Sequence, residues 1–359
     1  MSMIKDVAQR ANVSMATVSN VINNPAKVKD TTRARVLQAI ADLNYEVDIS
    51  EKEKRSKQLG TLGVIMEDIA VFNTPKIYTG ICDAASEAGF NVLACNLGIV
   101  HNSQTLYIDE VICREAAQRA VNLLLSKNVN AIIYIGSQGR EIRHITNGYS
   151  NGTPFVYAYC YSYDPNTASI IYDDEMITYQ LITYLIENGH QKIGVIGGPQ
   201  SGEHVRMRLS GYQRAMFDAK LLYNPNLLYF GDWENPDFGY QCIEPLLNQG
   251  ISAVFCMNDM LAGGVIDYTH DHKINVPAQL SIVGFDNIAA SETFYPKLTT
   301  VALPLNEIGR QAVVKAIKLL KTPKALADND IVRIACSIVY RDSVANRLQG
   351  EYASREVTH

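Results

Sequence analysis

The strongest constraint on the fold is an alternation of short apolar segments with longer amphipathic ones, which starts at Leu59 and runs almost to the end of the chain. Segments such as NVLACN, NAIIYIG, KIGVIGG and SAVFCMN are nearly continuous in apolar residues. They predict strands of parallel sheets that are covered by helices on both faces. Two half-sheets fit the length of this region better than one, with a break around Cys160–Asp164.

Polar residues stand directly after several of these predicted strands. Asn96, Asn258-Asp259 and Asp286-Asn287 each follow an apolar segment. Because ligands of open α/β sheets bind at the carboxyl ends of the strands, these residues predict a pocket at that edge.

The first 45 residues follow a different pattern, typical of three short helices. Apolar residues recur at helical spacing over Met3–Arg10, over Met15–Ile22 and in a third segment that ends at Asn44. Asn12 is suited to a left-handed turn, and Ser14 to the N-cap of the second helix. Two short helices joined by a tight turn and braced by a third form a helix-turn-helix. The alternative is a generic three-helix cap.

Charge and composition separate these two regions and exclude several classes of protein. Residues 1–58 contain ten Lys/Arg and seven Asp/Glu, whereas the whole chain has a net charge of −5. A small basic head on an acidic body indicates an anion-binding module joined to something else. Seven cysteines without a C-x-x-C pair indicate reduced, buried thiols and a cytoplasmic location. No apolar run approaches the roughly 20 residues that span a bilayer, and no signal-peptide pattern is seen, so neither a membrane partner nor secretion is expected.

Short motifs follow one another through the head and the body. Those of the head are Ile4–Ala8, Val13-Ser14, Thr17–Ser19, Val21–Asn23, Thr32-Arg33 and Val36. Those of the body are Glu187–His190, Arg208–Tyr212, Asn258-Asp259, Ile282–Asp286 and Pro296–Thr300. In these motifs and their order the chain resembles the lac repressor (LacI/GalR) family, whose DNA-binding head matches the N-terminal segment. The resemblance covers about residues 3–343.

The resemblance implies a small all-α helix-turn-helix head joined to an α/β body of the type I periplasmic-binding-protein kind. Such a body has two lobes crossed by three strands and is usually dimeric. We therefore expect a head over 1–46, a linker over 47–59, a two-lobed effector-binding and dimerisation domain over 60–343, and a polar tail over 344–359. The expected lobes are about 60–161 with 292–321, and about 162–291 with 322–343.

The linker departs from the family pattern. The family continues Tyr-Arg-Pro-Asn into a short hinge helix that places a leucine in the minor groove of DNA. Here the chain reads Tyr45-Glu46-Val47-Asp48, and Lys54 stands where that leucine would be. A lysine cannot act as an apolar wedge between base pairs, so we expect little central kinking of a bound operator.

Candidate DNA contacts follow from the way a helix-turn-helix binds. Its second helix enters the major groove, and the first residues of that helix meet base edges. Asn20 is suited to adenine, or to a contact through water, whereas the family usually has arginine there. Base contacts are predicted for Met15, Ala16 and Asn20, and phosphate contacts for Lys5, Ser14, Thr17, Ser19, Asn23 and Arg33.

Candidate effector residues follow from the family motifs in the body. A polyhydroxylated ligand needs planar polar side chains for hydrogen bonds and an aromatic face for its C–H surface. The resemblance assigns the polar contacts to Arg208, Asn258 and Asp286 and an aromatic wall to Trp233, which could equally be a core residue. In the first lobe, Phe72, Asn73 and Tyr157 are predicted contacts. The tyrosines at 157, 159, 161 and 163 could line the pocket or a dimer surface.

Together these features predict a sequence-specific transcriptional regulator, a repressor that binds a palindromic double-stranded DNA operator as a homodimer. Its operator affinity would depend on a small sugar or sugar derivative bound between the lobes. The alternative is a cytosolic sugar-binding sensor whose head has lost operator binding. A third hypothesis, a sugar-processing enzyme, lacks support: there is no G-x-S-x-G or H-E-x-x-H motif, and no Gly-Lys-Ser/Thr follows the glycines at 197–202. We predict no catalytic residue, no metal ligand and no cofactor.

Overall fold

The computed structural model describes residues 3–23, 28–43, 45, 60–99, 110–145, 152–322 and 330–348. The chain divides into two compact units, Met1–Gly60 and Thr61–His359, called here the head and the body. The predicted linker over 47–59 lies outside the described residues, as does the polar tail beyond residue 348.

The described residues of the head form a bundle of three helices, as the sequence predicts. They are α1 (Ile4–Arg10), α2 (Met15–Asn23) and α3 (Asp30–Asp42). Each helix contributes an apolar face to one small core, which is formed by Val7, Ala8, Ala11, Val18, Val21, Val36 and Ala39. The turn between α1 and α2 holds Asn12 at a φ of 51°, so the predicted left-handed residue is confirmed.

The body is an α/β structure whose elements alternate along the chain. Its helices are α4 (Thr74–Glu87), α5 (Glu110–Ser126), α6 (Asp174–Glu187), α7 (Glu203–Asp218), α8 (Pro236–Asn248), α9 (Asp259–Asp271) and α10 (Leu305–Lys321). Its strands are β1 (Gly60–Met66), β2 (Phe90–Asn96), β3 (Ala131–Ile135), β4 (Phe155–Ala158), β5 (Thr167–Tyr172), β6 (Ile193–Gly197), β7 (Leu228–Phe230), β8 (Ala253–Cys256), β9 (Ser281–Val283), β10 (Thr300–Ala302), β11 (Asp330–Ile334) and β12 (Ser337–Val339).

Two sheets define two lobes. The first lobe has six strands in the order β11-β5-β4-β3-β1-β2, and the second has four in the order β7-β6-β8-β9. The pairs β1–β3, β3–β4, β4–β5 and β5–β11 are parallel, as are all three pairs of the second sheet. Strands such as β3, β6 and β8 are buried along their whole length, because helices cover both faces. A short antiparallel ribbon of β10 and β12 lies beside β9, where Ser343 accepts a hydrogen bond from Ile282.

The sheet assignments correct the expected lobe boundaries in two places. Residues 167–172 form β5, which pairs with β4, so the first lobe extends past the expected break at 161. Residues 330–334 form β11 at the edge of the same sheet and not in the second lobe. The expected break failed because the loop between β4 and β5 is polar, although both strands it joins belong to one sheet. The chain therefore crosses between the lobes after β5, before α10 and after β11.

Two further observations bear on the chemistry of the chain. All seven cysteines are free thiols, and Cys113, Cys160, Cys242 and Cys256 are buried. Within the described residues, no helix is long and apolar enough to cross a membrane.

Candidate effector cleft and DNA-recognition helix

A cavity of about 510 Å³ opens between the two lobes, at the loops that follow the carboxyl ends of strands from both sheets. This position is where ligands of parallel α/β sheets bind. The first lobe contributes the loops after β1, β3 and β4, and the second those after β7, β8 and β9, together with α7. The cleft is lined by Asp68, Ala70, Val71, Phe72, Ser137, Gln138, Tyr159, His204, Arg208, Trp233, Glu234, Asn258, Met260, Asp286 and Ile288.

Most of the effector residues predicted from the sequence meet in this cleft. Phe72 and Trp233 supply aromatic surface, and Arg208, Asn258 and Asp286 supply polar groups. Trp233 also packs on the backbone at Gly198, where an added Cβ would lie 2.6 Å from the indole ring. The two predicted roles of Trp233, an aromatic wall of the pocket and a core residue, are therefore compatible, since the indole packs on the backbone at Gly198 and the residue also lines the cavity.

Asn73 and Tyr157 were wrongly predicted to face the cleft. Asn73 is fully buried at the start of α4, where its amide donates a hydrogen bond of 3.0 Å to the carbonyl of Gly136. Tyr157 is fully buried within β4 and packs edge-on against Tyr134, at a centroid distance of 5.7 Å. Both residues hold the first lobe together and neither lines the cavity.

Tyr159 occupies the place in the cleft that was predicted for Tyr157. Along β4, Phe155 and Tyr157 face one side of the sheet, and Val156 and Ala158 face the other. Tyr159 would return to the first side, but its φ of 69° turns it to the side of Val156 and Ala158. Alternation alone therefore cannot place this residue, because the backbone leaves the extended conformation at the end of the strand.

The other two tyrosines of the cluster have separate environments. The Tyr161 hydroxyl donates a hydrogen bond of 2.6 Å to the carboxylate of Glu203 at the start of α7. Tyr163 is exposed and lies edge-on to Tyr161, with ring centroids 5.5 Å apart. Tyr161 thus joins the first lobe to the second.

Arg208 is the buried centre of the polar wall. Its Nε donates a hydrogen bond to Oδ1 of Asp174 at 2.7 Å. Its Nη2 donates to the Tyr172 hydroxyl at 3.1 Å, and its Nη1 donates to the carbonyl of Met257. The guanidinium also stacks on the ring of Phe285, 3.6 Å from its centroid. Burial opposes the charge of Arg208, but Asp174, Tyr172 and Asp286 together outweigh burial and raise the pKa of the guanidinium. In turn, His204 and Arg208 hold the pKa of Asp174 below its ordinary value despite burial.

His204 connects this network to the first lobe. Its Nε2 accepts a hydrogen bond of 2.6 Å from the backbone N–H of Gly139, so this nitrogen carries no proton. Nδ1 donates to Oδ2 of Asp174 at 2.5 Å. His204 therefore links the first-lobe backbone at Gly139 to the ion pair of Asp174 and Arg208.

Asp286 lies at the other end of Arg208. Its Oδ1 is buried without a hydrogen-bond partner among the described residues and stands 3.8 Å from Nη2 of Arg208. The residue has a φ of 103°, a conformation that favours glycine. Burial raises the pKa of Asp286 to about 8, although Arg208 opposes this shift. An unsatisfied polar oxygen beside a cavity is suited to binding a ligand hydroxyl.

Asn258 combines a structural contact with a place in the cleft. Its Oδ1 accepts from the backbone N–H of Leu261 at 2.9 Å and caps α9, while its amide donates to the carbonyl of Trp233 at 2.8 Å. These bonds fix the planar amide and hold the loop of Trp233 against α9.

A second buried ion pair lies under the first-lobe wall. Glu67 is fully buried, and its carboxylate accepts from the guanidinium of Arg140 at 2.7 and 3.0 Å and from Tyr134 and Ser137. Burial opposes ionisation, but Arg140 and Ser137 hold the pKa of Glu67 below its ordinary value. Since Ser137 lines the cleft, this pair positions part of the first-lobe wall.

The head presents the predicted DNA contacts on the outside of its bundle. Lys5, Ser14, Met15, Ala16 and Asn20 are exposed, and Thr17, Ser19 and Arg33 are half-buried; the side chain of Asn23 lies outside the described positions. The Ser14 hydroxyl accepts from the backbone N–H of Thr17 at 3.1 Å, which confirms the predicted cap of α2. Arg33 pairs with Asp30 at 2.9 Å on the surface. An exposed pair of this kind is weak and leaves the guanidinium able to turn to a phosphate.

Comparisons with known proteins agree with this architecture. The model of the lacI family of bacterial regulatory proteins matches residues 3–48, and that of a periplasmic binding protein-like domain matches 182–344. Catabolite control protein A of Priestia megaterium is 30% identical over 344 residues, which cover 95% of this chain and 98% of that protein. The transcriptional regulator RegA of Clostridium saccharobutylicum is 32% identical over 321 residues, 88% and 92% of the two chains. A lac repressor structure with ONPG in the repressed state superposes with a TM-score of 0.71 at 26% identity and covers 96% of this chain and 99% of its own.

A helix-turn-helix head on a two-lobed body of the periplasmic-binding-protein kind defines a transcriptional regulator with a DNA-binding domain and an effector-binding domain. The chain belongs to the lacI family of bacterial regulatory proteins. The similar proteins are regulators of this family and not enzymes.

Proposed function

We propose that this protein is a cytoplasmic repressor that binds a palindromic operator as a homodimer and changes its operator affinity when a small sugar-like effector binds in the cleft. The observation that carries the proposal is the composition of the cleft wall. Phe72 and Trp233 offer aromatic faces, while Asn258 and Asp286 offer fixed polar groups beside them. A sugar has the same two kinds of surface, C–H faces and hydroxyls that both donate and accept.

The position of the cleft supports control by closure of the lobes. Its lining comes from both sheets, so a ligand there touches both lobes at once. Three hydrogen bonds already join the lobes at the first turn of α7: Gly139 to His204, Tyr161 to Glu203, and one between the Tyr172 hydroxyl and Nδ1 of His204. A ligand that binds one arrangement of the lobes more tightly shifts the population towards it. Among the similar structures, one lac repressor is a dimer bound to operator and the anti-inducer ONPF.

The head supports a direct reading of base edges. In the proposed complex α2 lies in the major groove, with Met15, Ala16 and Asn20 towards the bases. Met15 and Ala16 offer apolar contact to a thymine methyl, and Asn20 offers its amide to adenine. Lys5, Ser14, Thr17, Ser19, Asn23 and Arg33 contact phosphates in this proposal and set the position of the helix.

Selection of DNA from a randomised palindromic library, followed by gel shift in about 50 mM salt, tests the proposal. The proposal expects a retarded dimer complex on selected DNA and a change in its affinity when a stabilising sugar is added. Sugar binding without any retarded species would instead support a sensor whose head does not bind DNA. Turnover of a bound sugar would contradict both.

A further inference from the structure

We propose that the cleft selects a sugar without a phosphate or carboxylate group, and that Glu234 is a specificity-determining residue that disfavours the anionic forms. This inference rests on the proposed function, because it concerns the effector of the same cleft.

The positive charge of the cleft is already matched inside the protein. Among the described residues that line the cavity, Arg208 is the only lysine or arginine. It is 2% exposed, and its Nε is held by the carboxylate of Asp174 at 2.7 Å. His204 is held between the backbone N–H of Gly139 and the same carboxylate of Asp174. A phosphate that reached Arg208 would compete with Asp174, which cannot move away because it is buried and also bound to His204.

A second place where an anion could bind is the start of α9, and a carboxylate is already there. The N-terminus of a helix attracts negative charge through its free N–H groups. Asp259 is the first residue of α9, and its carboxylate accepts from the Thr300 hydroxyl at 2.6 Å and from the Ile288 backbone at 2.9 Å. The backbone N–H of Leu261, in the same first turn, donates its hydrogen bond to Oδ1 of Asn258. A ligand anion would therefore meet a buried carboxylate at this helix end.

The remaining ionisable groups that line the cleft are acidic. Glu234 follows Trp233 in the loop after β7, and its carboxylate has no hydrogen bond or ion pair with the described residues. Burial and the nearby Asp232 raise the pKa of Glu234. Asp68 and Asp286 contribute two further carboxyl groups, one from each lobe. Burial raises the pKa of Asp286 to about 8, Arg208 opposes this shift, and the carboxylates of Asp259 and Asp174 add smaller contributions in the same direction as burial.

These charges discriminate between forms of one sugar. An uncharged sugar uses the carboxyl oxygens as hydrogen-bond acceptors at no electrostatic cost. A phosphate ester or a uronic acid brings negative charge to a site that has no unmatched cation among its described residues, and like charges across an interface suppress binding. We expect the anionic form to bind at least about tenfold more weakly than the neutral one.

Thermal-shift screening of the full-length chain against matched pairs tests the inference, with glucose, fructose, galactose and ribose each beside its phosphate ester, and glucose beside glucuronate. Calorimetry then gives both affinities for any pair with a hit. The decisive comparison uses Glu234→Gln and Glu234→Lys, which remove and reverse one charge at nearly constant size. The ratio of neutral to anionic affinity should fall at least about threefold in the first variant and further in the second. Glu244→Gln and Glu244→Lys, on the exposed face of α8, are the matched controls and should leave the ratio unchanged.

The outcomes separate this inference from the proposed function. Binding of a phosphate ester as tightly as its neutral sugar would overturn the inference and leave the proposed function standing. A ratio of neutral to anionic affinity that is the same in the wild type and in both Glu234 variants would also overturn the inference. The charge of Glu234 would then play no part in disfavouring the anionic sugar. If no sugar of either kind stabilises the chain, the proposed function and the inference fail together.

Discussion

The backbone N–H of Gly139 donates a hydrogen bond of 2.6 Å to Nε2 of His204, and this bond joins the first lobe to the second beside the effector cleft. The glycine is required by the distance, since an added Cβ would lie 2.1 Å from the imidazole Cε1. The imidazole of His204 is also hydrogen-bonded to the carboxylate of Asp174, which in turn accepts from Arg208. The relationship therefore couples the closure of the lobes to the polar wall of the cleft.

Gly139→Ala should weaken effector binding by at least about tenfold, because the added methyl group cannot fit while the lobes are closed. Calorimetry with a sugar that stabilises the wild-type chain measures the effect. His204→Ala makes room for the methyl group, so the double variant should lose much less than the sum of the two single losses. Strict additivity of the two losses would show that the residues do not act as a pair.

Acid should destabilise the body through His190. This residue is fully buried between Ser252 and the carbonyl of Ala345, and burial lowers its pKa from 6.5 to about 4. Between these two values the unfolded chain binds more protons than the folded chain, so stability falls as the pH falls from 6.5 to 4 and this contribution levels off below 4. The loss over the window is on the order of 3 kcal/mol.

Urea unfolding followed by the fluorescence of Trp233, the only tryptophan, measures the stability of the body at each pH. His190→Gln should flatten the pH dependence in this window, whereas His270→Gln, an exposed histidine in the same lobe, should not. Equal slopes in all three proteins would contradict the assignment to His190.

Replacing one partner of the buried pair Glu67–Arg140 should lower the free energy of unfolding far more than replacing both partners. Arg140→Met leaves the fully buried carboxylate without its charge partner and should reduce the free energy of unfolding by about 3–5 kcal/mol. Adding Glu67→Gln removes the stranded charge and should restore a large part of that loss. The same urea experiment gives both values, and a double variant no more stable than Arg140→Met would refute this account of the pair.

In the head, Asn20 and Lys5 should have different effects on DNA binding. Asn20→Ala should change base preference at one position of the half-site by about 1–3 kcal/mol, because a base contact carries sequence information. Lys5→Ala should weaken binding to all sequences alike and reduce the salt dependence, because a phosphate contact carries none. Anisotropy titrations on a set of single-base operator variants separate the two, and a uniform loss for Asn20→Ala would contradict the groove assignment.

Local rules predicted the parts of the structure that depend on neighbours in sequence. The left-handed Asn12, the Ser14 cap and the apolar stripe of α2 each follow from a few adjacent residues. Arg208 and Asp286, which were singled out by their motif positions, both line the cleft.

The errors arose where the direction of a side chain depends on distant contacts or on one backbone angle. Asn73 lies one residue from a cleft residue but turns inward to the carbonyl of Gly136, 63 positions away. The positive φ of Tyr159 breaks the alternation of β4, so this residue lines the cleft although Tyr157 does not. No local pattern indicated His204, because its role depends on Gly139 and Asp174, which are far away in sequence.

The most direct test of the account measures operator affinity by fluorescence anisotropy, with and without the effector sugar, for the wild type and for Asp286→Gly. Glycine suits the φ of 103° at this position, so the variant removes the carboxyl group without straining the backbone. Lys273→Gly, an exposed residue with a φ of 54°, is the matched control. The account predicts that the sugar changes operator affinity at least about tenfold in the wild type and the control. It predicts that Asp286→Gly binds the operator equally well and does not respond to the sugar. An unchanged response in Asp286→Gly, or operator affinity that is independent of a bound sugar in the wild type, would contradict the claim that this cleft controls DNA binding.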